Sequence, residues 1–326
     1  MGKNLTVLLL FVSVLTHAQP AAEKYFQKIR NNTAQLTAFM SQMPKGGDLH
    51  HHSGGSLYAE PLLDRAIKED FYLNTQTMAV TKEKGMGNDW IKFSELEKQG
   101  LLENYRIKIL SHWSIKDYYP GLHPSDKLFF ESFDKFWPAV EGHLAEGLME
   151  TKNRAIKDNV SYIETQFSPV HFTIESKDLN GYNNSLRQLA FNRNEKEVMQ
   201  LLGTIYDSIL NRGAVVQAIA FNKNFVEKLH DSLKIDDERF TMRYQNFVFR
   251  FMPPVDLFKS LVMSFISAEK SDLIVGVNIV APEDGEVSMR DYWLHMLMFK
   301  FCHQKYPAVK YTMHAGELTM GLVQPE

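Results

Sequence analysis

The chain has 326 residues, 44% of them hydrophobic and 23% charged, with a formal net charge of −3. That composition is an ordinary globular one, large enough for a sizeable buried core. Its charge balance offers no bulk electrostatic basis for binding nucleic acid, so the expected partner is a small molecule.

At the N-terminus Lys3 precedes an apolar run over residues 5–15, and Thr16-His17-Ala18 follows with a small residue at the end. The run is too short to span a bilayer, so residues 1–18 read as a cleaved secretory signal. The mature chain then begins at Gln19 and is secreted or periplasmic, with no membrane association after cleavage. The only cysteine, Cys302, excludes an intrachain disulfide and is expected in the core. No internal repeat, low-complexity tract or Gly/Ser linker is visible.

Residues 19–42 form an N-terminal helical extension, with Tyr25, Ile29, Leu36 and Phe39 at helical spacing over 21–42. Pro44 and the Gly46-Gly47 pair turn the chain into a strand carrying His50, His51 and His52. In an extended segment, residues two apart leave on the same side, so His50 and His52 converge while His51 points away in a structural role. The region to about residue 155 reads as mostly helical, with Phe129, Phe133, Phe136 and Trp137 forming a core stripe.

Further strands are expected at 160–167, 214–221, 273–280 and 309–313, and helices at 185–211 and 255–268. Strands alternating with helices indicate βαβ units and a parallel sheet. No Gly-rich phosphate fingerprint follows any strand, so a (β/α)₈ TIM barrel is favoured over a doubly wound open sheet. The barrel occupies residues 43–326.

Two segments carry the chemistry: Met-Pro-Lys-Gly-Gly-Asp-Leu-His-His-His at 43–52 and Tyr-Thr-Met-His-Ala-Gly-Glu at 311–317. His50, His52 and His314 offer imidazoles to a zinc ion, and Glu317 is a nearby carboxylate outside that set. A His-bound zinc beside a free carboxylate is the equipment for activating water, which points to a metal-dependent hydrolase. Glu164, on a strand, is expected in an inward polar network. The remaining histidines lack a motif and read as surface or core.

These segments, in order, resemble the adenosine deaminase family, and most closely its secreted branch, the adenosine deaminase-related growth factors. The likeness runs through the 43–52 segment, the Phe-Phe-Glu-Ser-Phe-Asp-Lys-Phe-Trp-Pro helix at 129–138 and the strand Tyr-Ile-Glu-Thr-Gln-Phe-Ser-Pro at 162–169. It continues in Val-Gly-Val-Asn-Ile-Val-Ala-Pro-Glu at 275–283 and His-Ala-Gly-Glu at 314–317. The resemblance implies hydrolysis of adenosine and 2′-deoxyadenosine to inosine and ammonia, with Zn²⁺ on His50, His52 and His314. It implies Glu317 as the proton donor to purine N1, the main chain at Ala281 as the group meeting N3, and Phe133 beside the substrate. The branch's habit also implies a homodimer.

The sequence departs from the family pattern at several points. Gly54 stands where an Asp reaching the ribose is common, Ala281 where Gly is common, and Gln166 where a basic residue is common. The family's later His and Asp pair lie beyond its fifth strand. The 326 residues therefore read as about five of eight strands, a C-terminally incomplete chain inactive by itself. Two other readings stay open: a different purine deaminase or amidohydrolase, and a secreted binding protein of the same fold that has lost its chemistry.

Overall fold

The computed structural model describes residues 21–119, 121, 123–319 and 321–323, and the proposed signal segment 1–18 lies outside them. The expected N-terminal helix is two helices, α1 over 21–29 and α2 over Thr33–Gln42. The break falls at the Asn31-Asn32 pair, where the Asn32 side chain accepts from the Gln35 N–H and starts the second helix.

Strand β1 (Gly46–His52) leads into α3 (Ala59–Lys68) and a small antiparallel sheet of β2 (Tyr72–Asn74), β3 (Val80–Thr81) and β4 (Trp90–Lys92), in the order β3-β2-β4. The region is mostly helical as expected, with this small sheet as an addition to that reading. Its strands are two or three residues long, too short to set up a period-2 pattern. Helices α4 (Phe93–Lys98), α5 (Leu102–Trp113), α6 (Ser125–Val140) and α7 (Leu144–Lys157) complete the region. Leu63, Leu73, Phe93, Ile109 and Phe136 are among the side chains of its separate apolar core.

Strand β5 (Val160–Ser168) is followed by α8 (Tyr182–Phe191), α9 (Glu195–Asn211) and α10 (Ala214–Phe221). The last of these corrects the strand expected at 214–221. Ala214, Ala218, Asn222 and Val226 are buried at a spacing of four, whereas Val216 is 72% exposed, so the burial has a helical period. A short apolar run rich in Val and Ile cannot be told from a strand by composition alone. A π-helical stretch, Asn222–Glu227, carries the chain into α11 (Lys228–Leu233).

The third strand of the main sheet is instead β6 (Thr241–Phe249), followed by α12 (Pro254–Glu269), β7 (Ile274–Val280), α13 (Glu286–Arg290), α14 (Tyr292–Lys305) and β8 (Lys310–Tyr311). β6 hid because its apolar residues Met242, Tyr244 and Val248 face the helices while its opposite face carries Arg243 and Gln245.

All four pairings of the main sheet's five strands run parallel, in the order β1-β5-β6-β7-β8. Chain order equals spatial order, the sequential winding of a β/α barrel and unlike the reversed order of a doubly wound sheet. Helices α9, α12 and α14 cover one face, with Leu202, Phe258, Leu261, Phe299 and Cys302 in the core beneath. The covered face is apolar and the opposite face polar, and that polar face carries the candidate site. No helix among the described residues is long and apolar enough to cross a membrane.

Candidate metal centre

β1 delivers His50 and His52 to the polar face, and the segment just past β8 delivers His314 from the other side of the sheet. The Nε2 atoms of His50 and His314 lie 3.2 Å apart, and those of His314 and His52 3.0 Å apart. Tetrahedral zinc with Zn–N bonds of about 2.0–2.1 Å would hold its ligand nitrogens about 3.3 Å from one another. Three imidazole nitrogens 262 and 264 residues apart in sequence therefore already stand at nearly the separation a metal imposes. Lone pairs so close repel unless a proton or a cation lies among them, and the donor set suits a cation such as Zn²⁺.

The electrostatics agree. Burial, reinforced by the charge of His314 and His50, holds the His52 pKa down at about 4, and burial followed by His50 and Arg250 does the same for His314. Both rings are neutral at neutral pH, the form that ligates metal. His51 turns to the opposite face, where its Nδ1 lies 2.8 Å from the Thr165 hydroxyl, the structural role expected.

The ring of His314 is oriented from behind. Its Nδ1 is 3.0 Å from Asn278 Oδ1 and 3.1 Å from the Ile279 carbonyl. Both partners are acceptors, so Nδ1 carries the proton and Nε2 presents its lone pair to the other two histidines. The Asn278 amide donates to Thr312 Oγ1 at 2.7 Å, and Thr312 donates to Gln245 Oε1 at 3.4 Å. Gln245 Nε2 donates to Glu164 Oε2 at 2.9 Å, and Tyr162 donates to Glu164 Oε1 at 2.9 Å. One polar chain thus crosses from β5 through β6 and β7 to His314, and Glu164 is in the inward network expected of it.

Glu317 follows His314 on an exposed loop. Desolvation and the neighbouring Glu283 raise its pKa, against the opposing charges of Arg250 and His50. Arg250, at the end of β6, is buried and donates from Nη2 to the His314 carbonyl at 2.7 Å.

Ala281, directly after β7, has φ +89°, a region that suits glycine and strains a residue with a Cβ. That strain sits where the resemblance expects the purine-facing main chain. Phe133 closes on the loop after His52: a Cβ built on Gly55 would lie 3.0 Å from its ring and 3.4 Å from His52 Cβ. A Cβ built on Gly54 would lie 3.0 Å from both Trp137 and Val140, so this glycine is a packing contact beneath α6 and presents no side chain to a ligand. In α6 only Phe136 of the aromatic stripe is fully buried, while Phe129 and Trp137 remain 44% and 46% exposed. Phe129, Phe133, Phe136, Trp113 and Leu57 line a cavity of about 480 Å³ beside the Gly55 loop.

Asn278, Gln245 and Arg250 escaped the reading of the sequence as site residues. A lone Asn within Val-Gly-Val-Asn-Ile-Val was a legible signal, since a polar residue in an apolar strand needs a partner. Gln245 and Arg250 had no such signal, because their strand was not seen.

No known protein-family profile matches the chain, and no curated protein sequence matches it. Among solved structures, a crystal structure of Arabidopsis ADAL complexed with GMP is similar at 16% identity and a TM-score of 0.42. The similarity covers 86% of this chain and 61% of that one, so the chain spans less than two thirds of that protein's length. At this identity and TM-score the likeness fixes neither family nor activity, which leaves the site's own geometry as the basis for function.

Proposed function

We propose that the chain is part of a secreted, zinc-dependent purine deaminase that converts adenosine and 2′-deoxyadenosine to inosine and ammonia. The observation that carries the reading is the convergence of three Nε2 atoms, 3.0 and 3.2 Å apart, from opposite ends of a parallel sheet. His50, His52 and His314 would hold the zinc, and a three-histidine set leaves a coordination position open, as catalytic sites do. Bound there, zinc supplies a Lewis acid that brings the pKa of water to about 7.

The chain's own residues supply the rest. Asn278 keeps the His314 proton on Nδ1 and so keeps its Nε2 available. Glu317, its pKa raised by desolvation and Glu283, retains a proton to higher pH than a free carboxylate and delivers it to purine N1, making C6 more electrophilic. The N–H of Ala281 donates to N3, and Phe133 with the aromatic cavity beside it shields the base from water. Export rests on the N-terminal segment, and N-terminal sequencing of the mature protein should begin at Gln19.

The test is ammonia release from adenosine by the zinc-loaded product of the complete reading frame, compared with its His314→Ala variant. Turnover in the first and loss in the second support the reading. A zinc-loaded protein without turnover on adenosine and 2′-deoxyadenosine would refute it, whatever it does to adenine or AMP.

A further inference from the structure

His314 is held by a strand only two residues long, and it lies three residues beyond that strand's end. Its N–H donates to the Ile279 carbonyl at 3.3 Å, one turn of sheet pairing beyond the Thr312 N–H to Val277 bond at 2.9 Å. Past it, Ala315, Gly316 and Glu317 are exposed. Among the described residues, a single side chain bonds the other side of the His314 peptide. Arg250 Nη2 donates to the His314 carbonyl at 2.7 Å and lies 3.4 Å from the Ile279 carbonyl. Its Nη1 lies 3.9 Å from Glu283 Oε1, and its own main-chain N–H donates to the Val280 carbonyl at 3.1 Å. One residue therefore ties together the ends of β6 and β7 and the loop after β8.

A guanidinium is costly to bury, and this one is 8% exposed with one carboxylate at the edge of ion-pair range. A fold needing only packing here would be served by an apolar side chain of similar volume. The planar fork holds its donors in one fixed geometry toward two carbonyls, with a carboxylate at 3.9 Å, a directional constraint that an ammonium on a flexible stem does not impose.

We propose that Arg250 is a positioning residue of the metal centre: it fixes the main chain at His314, and with it both the third imidazole and the start of the Glu317 loop. The proposal rests on the metal-centre reading above. It concerns how the site is held, and Arg250 itself touches neither metal nor substrate.

The experiment compares zinc affinity, by chelator competition, in the full chain and in Arg250→Met, Arg250→Lys and Lys152→Met. Lys152 is the control, a buried cation bonded to the Lys234 carbonyl and Asp237 and unconnected to the histidines. Wild-type binding tests the metal centre; its absence would overturn that reading and this one together. With wild-type binding in place, Arg250→Met should weaken zinc about tenfold or more, the range seen when groups behind metal ligands are removed, and Arg250→Lys should fall between. Lys152→Met should lower the melting temperature while leaving zinc affinity unchanged. The cobalt-substituted protein adds a readout of ligand geometry, and Arg250→Met should shift its visible absorption where Lys152→Met does not. Arg250 variants that bind zinc within twofold of wild type, or that weaken no more than Lys152→Met, would overturn the proposal. Should Arg250→Met fail to fold, Arg250→Lys decides by the same criterion.

Discussion

Replacing Asn278 with Ala removes one of two acceptors behind His314. The Asn278 Oδ1 contact at 3.0 Å disappears, while the Ile279 carbonyl at 3.1 Å still accepts from Nδ1. Loss of such an outer partner weakens metal binding about 10–100-fold, or about 1.4–2.7 kcal/mol. Because the carbonyl continues to hold the tautomer, the loss should fall near the lower end, about tenfold. Asn278→Asp is the informative partner variant: a carboxylate behind the imidazole makes it a stronger ligand, so zinc should bind at least as tightly as in wild type. The metal-free Asp variant should at the same time be less stable, since position 278 is fully buried and the new charge is desolvated. Chelator competition gives the affinities, and urea denaturation of the metal-free proteins separates stability from binding. Zinc affinity unchanged within twofold in Asn278→Ala would refute the reasoning that this amide orients His314.

Three other perturbations follow. Ala281→Gly relieves a left-handed backbone at φ +89° and should raise stability by up to about 1 kcal/mol, read as a higher urea midpoint. Gly54→Asp, which would restore the residue common in the resembling family, places a side chain against Trp137 and Val140; it should cost about 1–3 kcal/mol and lower the melting temperature. His295 is 2% exposed, and burial holds its pKa at about 4. Between that value and about 6.5 the unfolded chain binds the proton that the folded chain refuses, so stability rises with pH across this window and is lost on acidification. His295→Leu should flatten the slope of unfolding free energy between pH 4 and 6.5, by up to about 1.4 kcal/mol per pH unit.

The three-histidine cluster was the most legible part of the molecule because its chemistry is written in residue types. Imidazoles two apart on a strand, with a third beside a carboxylate, report their role wherever the backbone carries them. The parallel sheet was legible through the strands whose two faces are both apolar or nearly so, as in β7, where six of seven positions are buried, five of them in succession. β6 escaped because one face points at helices and the other at the polar interior, so that Met-Arg-Tyr-Gln-Asn reads as neither strand nor helix. Its absence moved the third strand to 214–221, where Val215 and Val216 imitate a strand but lie on the outer side of a helix whose buried stripe is alanine. Small residues carry little hydrophobic signal, and helix packing there depends on their lack of bulk. At Gly54 the limit is of a related kind. Comparison with a pattern reports that a side chain is missing, while only the fold reveals that Trp137 fills its place.

Three histidines sharing one ion are tested most directly by the zinc stoichiometry of the purified chain, with His50→Ala, His52→Ala and His314→Ala beside it. One tightly bound zinc per chain, lost or greatly weakened in each variant, is the predicted result. A chain that binds no zinc, or whose zinc survives all three substitutions, would contradict it.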